Sequence, residues 1–368
     1  MASFTKRGST WQYTVSRMVN GKSRPIRKSG FRTKKEAMVA AAEVEANLQK
    51  GIVPNFKKEA FDEYFEGWIK IYKSNITQIT LKRYHDTLQT IKKYFKGKSI
   101  QDITKREYQA FLNEYGLSHA KETTRKLNIH IRACVREAID EGLIRVDFTR
   151  DAVITGSVEA KRPEEKHLSY RESRELMKEI YNRLDRSLGY YLLLLGLTSG
   201  MRFAEMVGLT RKDFDFTTNK ITINKTWDYK NGTGFDKTKN DPSNRIIQMD
   251  KPTMDIFHEL FRNTPANIHN LVFFSPHSSN KVVTNELANK ILRNTLKYLD
   301  IQPITVHGLR HTHASVLLYR KVSIYYVSER LGHANIDTTL KHYAHVIKEL
   351  REEDTQNTIS TFEQMAIV

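Results

Sequence analysis

His307-Gly308-Leu309-Arg310-His311-Thr312-His313-Ala314-Ser315 is the stretch on which the reading of this chain turns, because two other fragments complete it. Upstream stands Thr198-Ser199-Gly200-Met201-Arg202-Phe203-Ala204-Glu205-Met206-Val207-Gly208-Leu209. Downstream comes Leu331-Gly332-His333-Ala334-Asn335-Ile336-Asp337-Thr338-Thr339, with Tyr343 ten residues after His333. Together they place Arg202 and Arg310, His307 and His333, and Tyr343 on a basic chain. Arginines clamp phosphate oxygens, histidines move or donate protons, and a tyrosine hydroxyl can attack phosphorus. That combination suits the breaking and rejoining of a nucleic-acid backbone.

Each fragment has a plainer reading when taken alone. Arg202 follows a Thr-Ser-Gly turn and precedes the apolar pattern of Met206 and Leu209, which places it at a helix start. Free backbone N–H groups and the helix dipole favour phosphate there, yet a lone arginine at such a place is ordinarily a surface or capping residue. His307 and Arg310 stand three apart at a second helix start, so both side chains can face one point. His307, His311 and His313 also suggest a metal site, and the first two have the spacing of ligands on one helix. The zinc-protease pattern, however, needs Glu where this chain has Gly308, and Arg310 sets a cation against the metal. No metal or other cofactor is therefore expected.

His333 by itself would be a cap or a structural histidine. Tyr325 and Tyr326 read as packing residues. Tyr343 differs in being flanked by His342 and His345, in a segment too polar for a good core helix. A free phenol, with a pKa near 10, is ionised in only about one molecule in a thousand at pH 7. As a nucleophile it needs cations around the phosphate it attacks, and two arginines with two histidines supply them.

Composition bounds the class. At 368 residues the chain exceeds what one compact core usually holds, and 39% hydrophobic content excludes a disordered chain. The net charge of +18 calls for a polyanionic partner. Its distribution says more: residues 1–55 carry 11 Lys/Arg against 3 Asp/Glu, a net of +8, whereas 56–155 and the remainder each carry +5. The only cysteine, Cys134, recurs at helical spacing with Leu127, Ile131 and Ala138 and reads as a small buried residue, so no intrachain disulfide is expected. The first 25 residues lack an apolar run, and Leu192-Leu193-Leu194-Leu195 is too short to span a bilayer. The expectation is a protein without leader or membrane anchor, working in the cytosol.

Along the chain the pattern changes twice. Trp11, Tyr13 and Val15 alternate with polar residues, Asn20-Gly21 is a hairpin signal, and a basic strand follows over 22–29. Thr33-Lys34-Lys35-Glu36 has the form of a capping box opening a helix to about Lys50, and Gly51–Asn55 reads as a linker. Residues 1–55 are thus expected to form a small sheet plus a helix. Arg17, Lys22, Arg24, Arg27 and Lys28 crowd one hairpin and favour contact with nucleic acid over a merely solvated surface. From 56 to 155 the period is helical: Phe61, Tyr64, Phe65 and Trp68; Leu81, Tyr84, Leu88 and Ile91; then a helix from Lys121 to Glu141 stopped by Gly142. The aromatic stripe reads as core. Lys82, Arg83, Lys121, Arg125 and Arg132 decorate these helices, and by themselves suit either a solvated or a nucleic-acid-facing surface. Residues 161–165 read as a second linker. The remainder, 163–368, is mainly helical except for strand candidates at Lys220–Trp227 and Arg245–Met249 around a Gly/Lys/Asn-rich turn.

The ordered set Arg202, His307-Gly308-Leu309-Arg310, Leu331-Gly332-His333 and Tyr343 resembles the tyrosine recombinases, or phage integrase family. The domain order looks most like integrases of temperate phages and integrative elements of Gram-positive bacteria. The resemblance implies a multidomain fold, mainly α with small antiparallel sheets. It would comprise an arm-type DNA-binding domain over 1–55 with a three-stranded sheet and a helix, a helical core-binding domain over 56–155 and a catalytic domain over 163–368. It makes Arg202 and Arg310 phosphate clamps, His307 the proton-handling residue, His333 a phosphate hydrogen-bond donor and Tyr343 the nucleophile, with Glu205 as a structural support. The family's general-acid lysine sits in a β-hairpin turn; Lys239 is preferred here, with Lys237 as the alternative, in a turn longer than usual.

The implied reaction is site-specific recombination of double-stranded DNA through a 3′-phosphotyrosine intermediate, without ATP. The implied assembly is a homotetramer on core and arm attachment sites, with the segment after Tyr343 packing on a neighbouring subunit, assisted by a host bending protein and an excisionase. A dimer-resolving recombinase is a second reading, against which the basic N-terminal module speaks. A DNA-binding regulator that lost the chemistry is a third, against which the intact residue set speaks.

Overall fold

The computed structural model describes residues 2–19, 22–49, 58–159, 164–238, 240–340, 343 and 351–366. The chain divides into two compact units, Met1–Ala160 and Lys161–Val368. No helix among the described residues is long and apolar enough to cross a membrane.

The first unit opens with strands β1 (Ala2–Arg7), β2 (Thr10–Val15), the short ribbon β3 (Met18–Val19) and β4 (Lys22–Ser23), and β5 (Ile26–Phe31). The sheet is antiparallel in the order β1-β2-β5, with β2 central. The basic strand expected over 22–29 is split in two at Arg24-Pro25, because proline has no N–H to give to a ladder. The Asn20-Gly21 turn lies outside the described residues, as does the 51–55 linker. Helix α1 (Lys34–Gln49) follows. Thr33 Oγ1 accepts the Glu36 N–H at 3.2 Å, while the Glu36 carboxylate reaches back to the Arg32 N–H rather than to that of Thr33. Alternation sends Tyr13 and Val15 to one face of β2, where they pack with Ala41 and Val44 of α1.

A second cluster of the same unit lies among α2 (Phe61–Tyr72), α3 (Gln78–Phe95), α4 (Lys105–Gly116) and α5 (Lys121–Asp140). Phe61 anchors it, meeting Phe65, Phe95 and Phe148 edge-on at 5.4–6.2 Å, a geometry that ring quadrupoles favour. Cys134 is fully buried in it, and burial pushes its thiol well above the usual range. Helix α4 is absent from the sequence reading. Its cap was legible, since Thr104 Oγ1 accepts from the Glu107 N–H at 3.2 Å.

The second unit is built around α7 (Leu188–Ser199), a helix apolar on nearly all sides and therefore central. It touches α6 (Tyr170–Tyr181), α8 (Phe203–Val207), α9 (Lys251–Asn263), α10 (Asn285–Tyr298) and α11 (Val306–Tyr319). A small antiparallel sheet orders β10 (Arg245–Gln248), β7 (Lys220–Ile223) and β6 (Phe214–Asp215), beside a ribbon of β8 (Thr226–Trp227) and β9 (Phe235–Asp236). The single strand expected over Lys220–Trp227 is thus interrupted at Asn224-Lys225. Helix α12 (Ile324–Leu331) precedes a helical stretch over 336–340, Tyr343 is helical too, and a last helix covers Arg351–Ala366. Two glycines end helices in the left-handed region, Gly200 after α7 (φ 67°) and Gly332 after α12 (φ 68°). A side chain at Gly200 would also strike His313, 2.6 Å from the position of its Cβ.

Candidate active site

The ends of those two helices form a platform of carbonyls. Arg310, projecting from the first turns of α11, donates to Gly200 O at 2.8 Å and to Leu331 O at 2.7 Å. Arg202, the N-cap residue of α8, donates to Gly332 O at 3.1 Å, to Ser243 Oγ at 3.1 Å and to Glu205 Oε1 at 2.6 Å. The structure therefore brings both sequence-predicted arginines, from positions over a hundred residues apart, onto the loop that carries His333. Arg310 is only 3% exposed. Burial, with neighbouring Arg202, lowers its pKa to about 9, so it remains a cation at neutral pH. Its hydrogen-bond partners among the described residues are neutral carbonyls, an unusual setting for a buried charge.

Behind the platform lies a support that the sequence reading found only in part. Glu205, 2% exposed, takes Arg202 on one oxygen and Arg245 on the other, at 2.6 and 2.9 Å. Burial alone would raise its pKa, but Arg245 and Arg202 outweigh it and hold the carboxyl below its ordinary range. Arg245 also donates to Ser243 O and to Arg330 O, at 2.8 and 2.7 Å. Arg330 in turn donates to His313 Nε2 at 3.0 Å, Gln248 O at 2.8 Å and Thr198 O at 3.2 Å. Ser243, Arg245 and Arg330 were not singled out from sequence. Strand alternation was the available signal for Arg245, which shares a face with buried Ile247 while Ile246 and Gln248 stay exposed.

His307 is exposed at the second position of α11, after the Thr305 cap. One turn on, His311 meets it edge-to-face, with ring centroids 4.9 Å apart. His311 Nδ1 lies 2.8 Å from the hydroxyl of Tyr343. Tyr343 was expected to stand apart from any core; instead it is 2% exposed and packs with Ala314, Leu318, Val327 and Leu331. Burial pushes its phenol above the ordinary value, with Arg310 pulling the other way. The converse holds for Tyr325 and Tyr326, expected as packing residues and found 74% and 46% exposed. Their place at the start of α12 explains this: they line a cleft of about 500 Å³ with Arg245, Arg330 and His333. His333 follows the Gly332 cap, and its Nδ1 lies 2.7 Å from Thr339 Oγ1, which fixes the ring. Lys239, His342 and His345 lie outside the described residues. Lys237 is exposed just after β9. Among the described residues no group of three or more His, Cys, Asp or Glu side chains is placed to hold a metal ion.

Arg27 and Lys28 of the first unit do not share one face of the sheet. In the β2–β5 register Arg27 lies opposite Thr14 and Lys28 opposite Tyr13. Alternation therefore puts Lys28 on the side of α1 and Arg27 on the open side of the sheet. Lys22, in the ribbon, and Arg24, just after it, are exposed, and Arg17 is half-buried. On the helices Lys82, Arg83, Lys121 and Arg125 are exposed. Arg132 is not: it is half-buried, and its Nε has no hydrogen-bond partner.

Three family descriptions match the chain in order: an arm DNA-binding domain over residues 3–48, a phage integrase N-terminal SAM-like domain over 60–115, and the phage integrase family over 166–349. The chain belongs to the phage integrase family, the tyrosine recombinases. It is accordingly a site-specific DNA recombinase of integrase type, an enzyme that cleaves and rejoins DNA. It is 27% identical over 364 residues to a tyrosine recombinase XerC-like protein of Caldanaerobacter subterraneus, covering 91% of each chain. It is 25% identical over 324 residues to the integrase of Staphylococcus phage L54a, covering 79% of this chain and 89% of that one. Its fold is similar to that of the Tn1549 transposon integrase, solved in complex with a circular intermediate DNA, with a TM-score of 0.67 at 20% identity over 81% of this chain and 99% of that one.

Proposed function

We propose that this integrase opens a DNA strand with Tyr343, leaving a 3′-phosphotyrosyl bond and a free 5′-hydroxyl, and reseals it on the partner duplex. Arg202 and Arg310 hold the two non-bridging oxygens. A terminal guanidinium nitrogen carries two hydrogens, so Nη1 and Nη2 of Arg310 and Nη2 of Arg202 can each keep one on a platform carbonyl and turn the other to phosphate, while Nη1 of Arg202 stays on Glu205 and Ser243. His333 adds a hydrogen bond and His307 serves the proton traffic. Lys239, or Lys237 beside it, protonates the leaving 5′ oxygen. The observation that supports this most is the buried Arg310 cation, whose hydrogen-bond partners among the described residues are carbonyls rather than a carboxylate. An arriving phosphate supplies the missing charge, in a site where burial magnifies the attraction.

In the same reading residues 1–55 bind arm sites, 56–155 clamp the core site and 163–368 carry catalysis. A homotetramer assembles on two DNA sites in the bacterial cytosol, aided by a bending protein and an excisionase, and moves a phage or integrative element. Relatives from phage and the solved DNA complex of the transposon integrase support a duplex-DNA substrate. The test is the polarity of the trapped adduct on a nicked duplex. Protein linked to the 3′ end, with a 5′ end open to kinase, is expected; linkage to a 5′ end would overturn the reading.

A further inference from the structure

We propose that His311 is the general base for Tyr343, a finer assignment than the proton handling that the family resemblance gives to His307. This rests on the reading of Tyr343 as nucleophile and assigns the proton that this nucleophile must lose. The contact is direct: His311 Nδ1 stands 2.8 Å from the tyrosine hydroxyl, within the reach that proton abstraction requires. The two groups are held there independently. His311 follows Arg310 on α11, so the helix that fixes the clamp also fixes the base. The Tyr343 ring is locked by Ala314, Leu318, Val327 and Leu331. A phenol buried to this degree does not shed its proton to bulk water, and burial raises its pKa further. A base in contact is what such a nucleophile needs. His307 is exposed and meets His311 edge-to-face, with ring centroids 4.9 Å apart.

In the step, a lone pair of the Tyr343 oxygen attacks phosphorus and the O–P bond forms. The phenolic proton passes to Nδ1 of His311, giving imidazolium. The P–O5′ bond breaks, and the 5′ oxygen takes its proton from the lysine general acid. Resealing runs backwards, with His311 returning the proton to the departing phenol.

The test uses the full-length protein on a nicked suicide duplex cut from DNA that the wild-type protein links to covalently. His311→Gln keeps a hydrogen-bond acceptor beside the hydroxyl but cannot take up a proton, and His311→Ala removes both functions. Both should slow adduct formation by about two to four orders of magnitude, the range of general acid–base catalysis. Added imidazole should restore part of the rate in His311→Ala. A duplex with a 5′-bridging sulfur, whose leaving group needs no proton, should leave both variants just as defective, because their lesion is on the nucleophile's side. Several results would overturn the assignment: wild-type cleavage by His311→Gln, which makes the contact a packing hydrogen bond; faster cleavage by His311→Ala, which makes it a latch; or rescue by the sulfur substrate, which makes His311 an acid. Tyr343→Phe on the same duplex separates this failure from that of the underlying reading, since adduct formation by that variant removes the nucleophile itself.

Discussion

Arg330 donates its Nε–H to Nε2 of His313 at 3.0 Å, directly behind the loop whose Leu331 and Gly332 carbonyls hold Arg310 and Arg202. The donor settles the tautomer: Nε2 accepts, so Nδ1 carries the hydrogen and gives it to Leu197 O at 2.9 Å. A neutral, buried histidine therefore ties α11 and α12 to the end of α7, where the platform begins.

That imidazole makes stability depend on pH. Burial, reinforced by Arg330, lowers the His313 pKa to about 3, whereas in the unfolded chain it titrates near 6.5. Between those values the unfolded state binds more protons, so stability rises with pH through the window and falls as acid is added below about 6.5. His313→Gln should flatten this acid limb in denaturant titrations. An unchanged slope would assign the limb to other groups.

Arg330→Met should weaken both fold and chemistry. It leaves His313 Nε2, Gln248 O and Thr198 O short of a donor, and an unsatisfied buried group costs about 1–3 kcal/mol. A loss of about 2–5 kcal/mol, read by chemical denaturation, should accompany slower adduct formation at temperatures where the variant remains folded. Wild-type cleavage by a destabilised variant would show that Arg330 supports the fold alone.

Arg202→Ala and Arg310→Ala should each lose about 3–5 kcal/mol of transition-state stabilisation, or two to four orders of magnitude in cleavage rate. Lysine should rescue either poorly, because a point charge cannot serve a carbonyl and a phosphate from one planar fork. Single-turnover rates on a saturating duplex provide the check, and near-normal cleavage by Arg310→Ala would remove it from the clamp.

Glu205→Leu should destabilise the second unit by about 3–5 kcal/mol, since it strands the Arg202 and Arg245 cations at a site where the carboxylate is 2% exposed. Thermal unfolding measures this. A neutral effect would mean that the two guanidiniums find other partners.

Much of the candidate site was legible because the proposed chemistry calls for uncommon residues at fixed intervals: Arg202, His307, Arg310, His333 and Tyr343 stood out as an ordered set. What escaped was whatever depends on distant carbonyls. Arg245 and Arg330 look like ordinary surface cations in a chain of 60 Lys/Arg, and only folding shows the groups they serve. Tyr343 was misjudged because its neighbours are polar, while the apolar partners that bury it lie on α11 and α12. Tyr325 and Tyr326 were misjudged the other way, since aromatic character says nothing of which side of α12 meets the core. In the first unit, alternation gave the Tyr13–Val15 face correctly, and the same alternation divides Arg27 from Lys28, which had been grouped by proximity alone.

Removing residues 1–55 should separate two DNA-binding activities. The remainder keeps every proposed catalytic residue and should still cleave a core site, but should fail on substrates that depend on arm sites. With a net charge of +8 gone, binding to full-length substrate should depend less steeply on salt, as fewer counterions are released. Full recombination by the shortened protein, or footprints that coincide for the two pieces, would contradict an arm-binding role.

The most direct measurement is the identity of the residue joined to DNA. Full-length protein trapped on a suicide duplex, digested with protease and nuclease and read by tandem mass spectrometry, should yield a nucleotide phosphate ester on Tyr343, and Tyr343→Phe should bind the same duplex and yield none. An adduct on Tyr325, Tyr326 or any other residue, or an undiminished yield from Tyr343→Phe, would contradict the account at its centre.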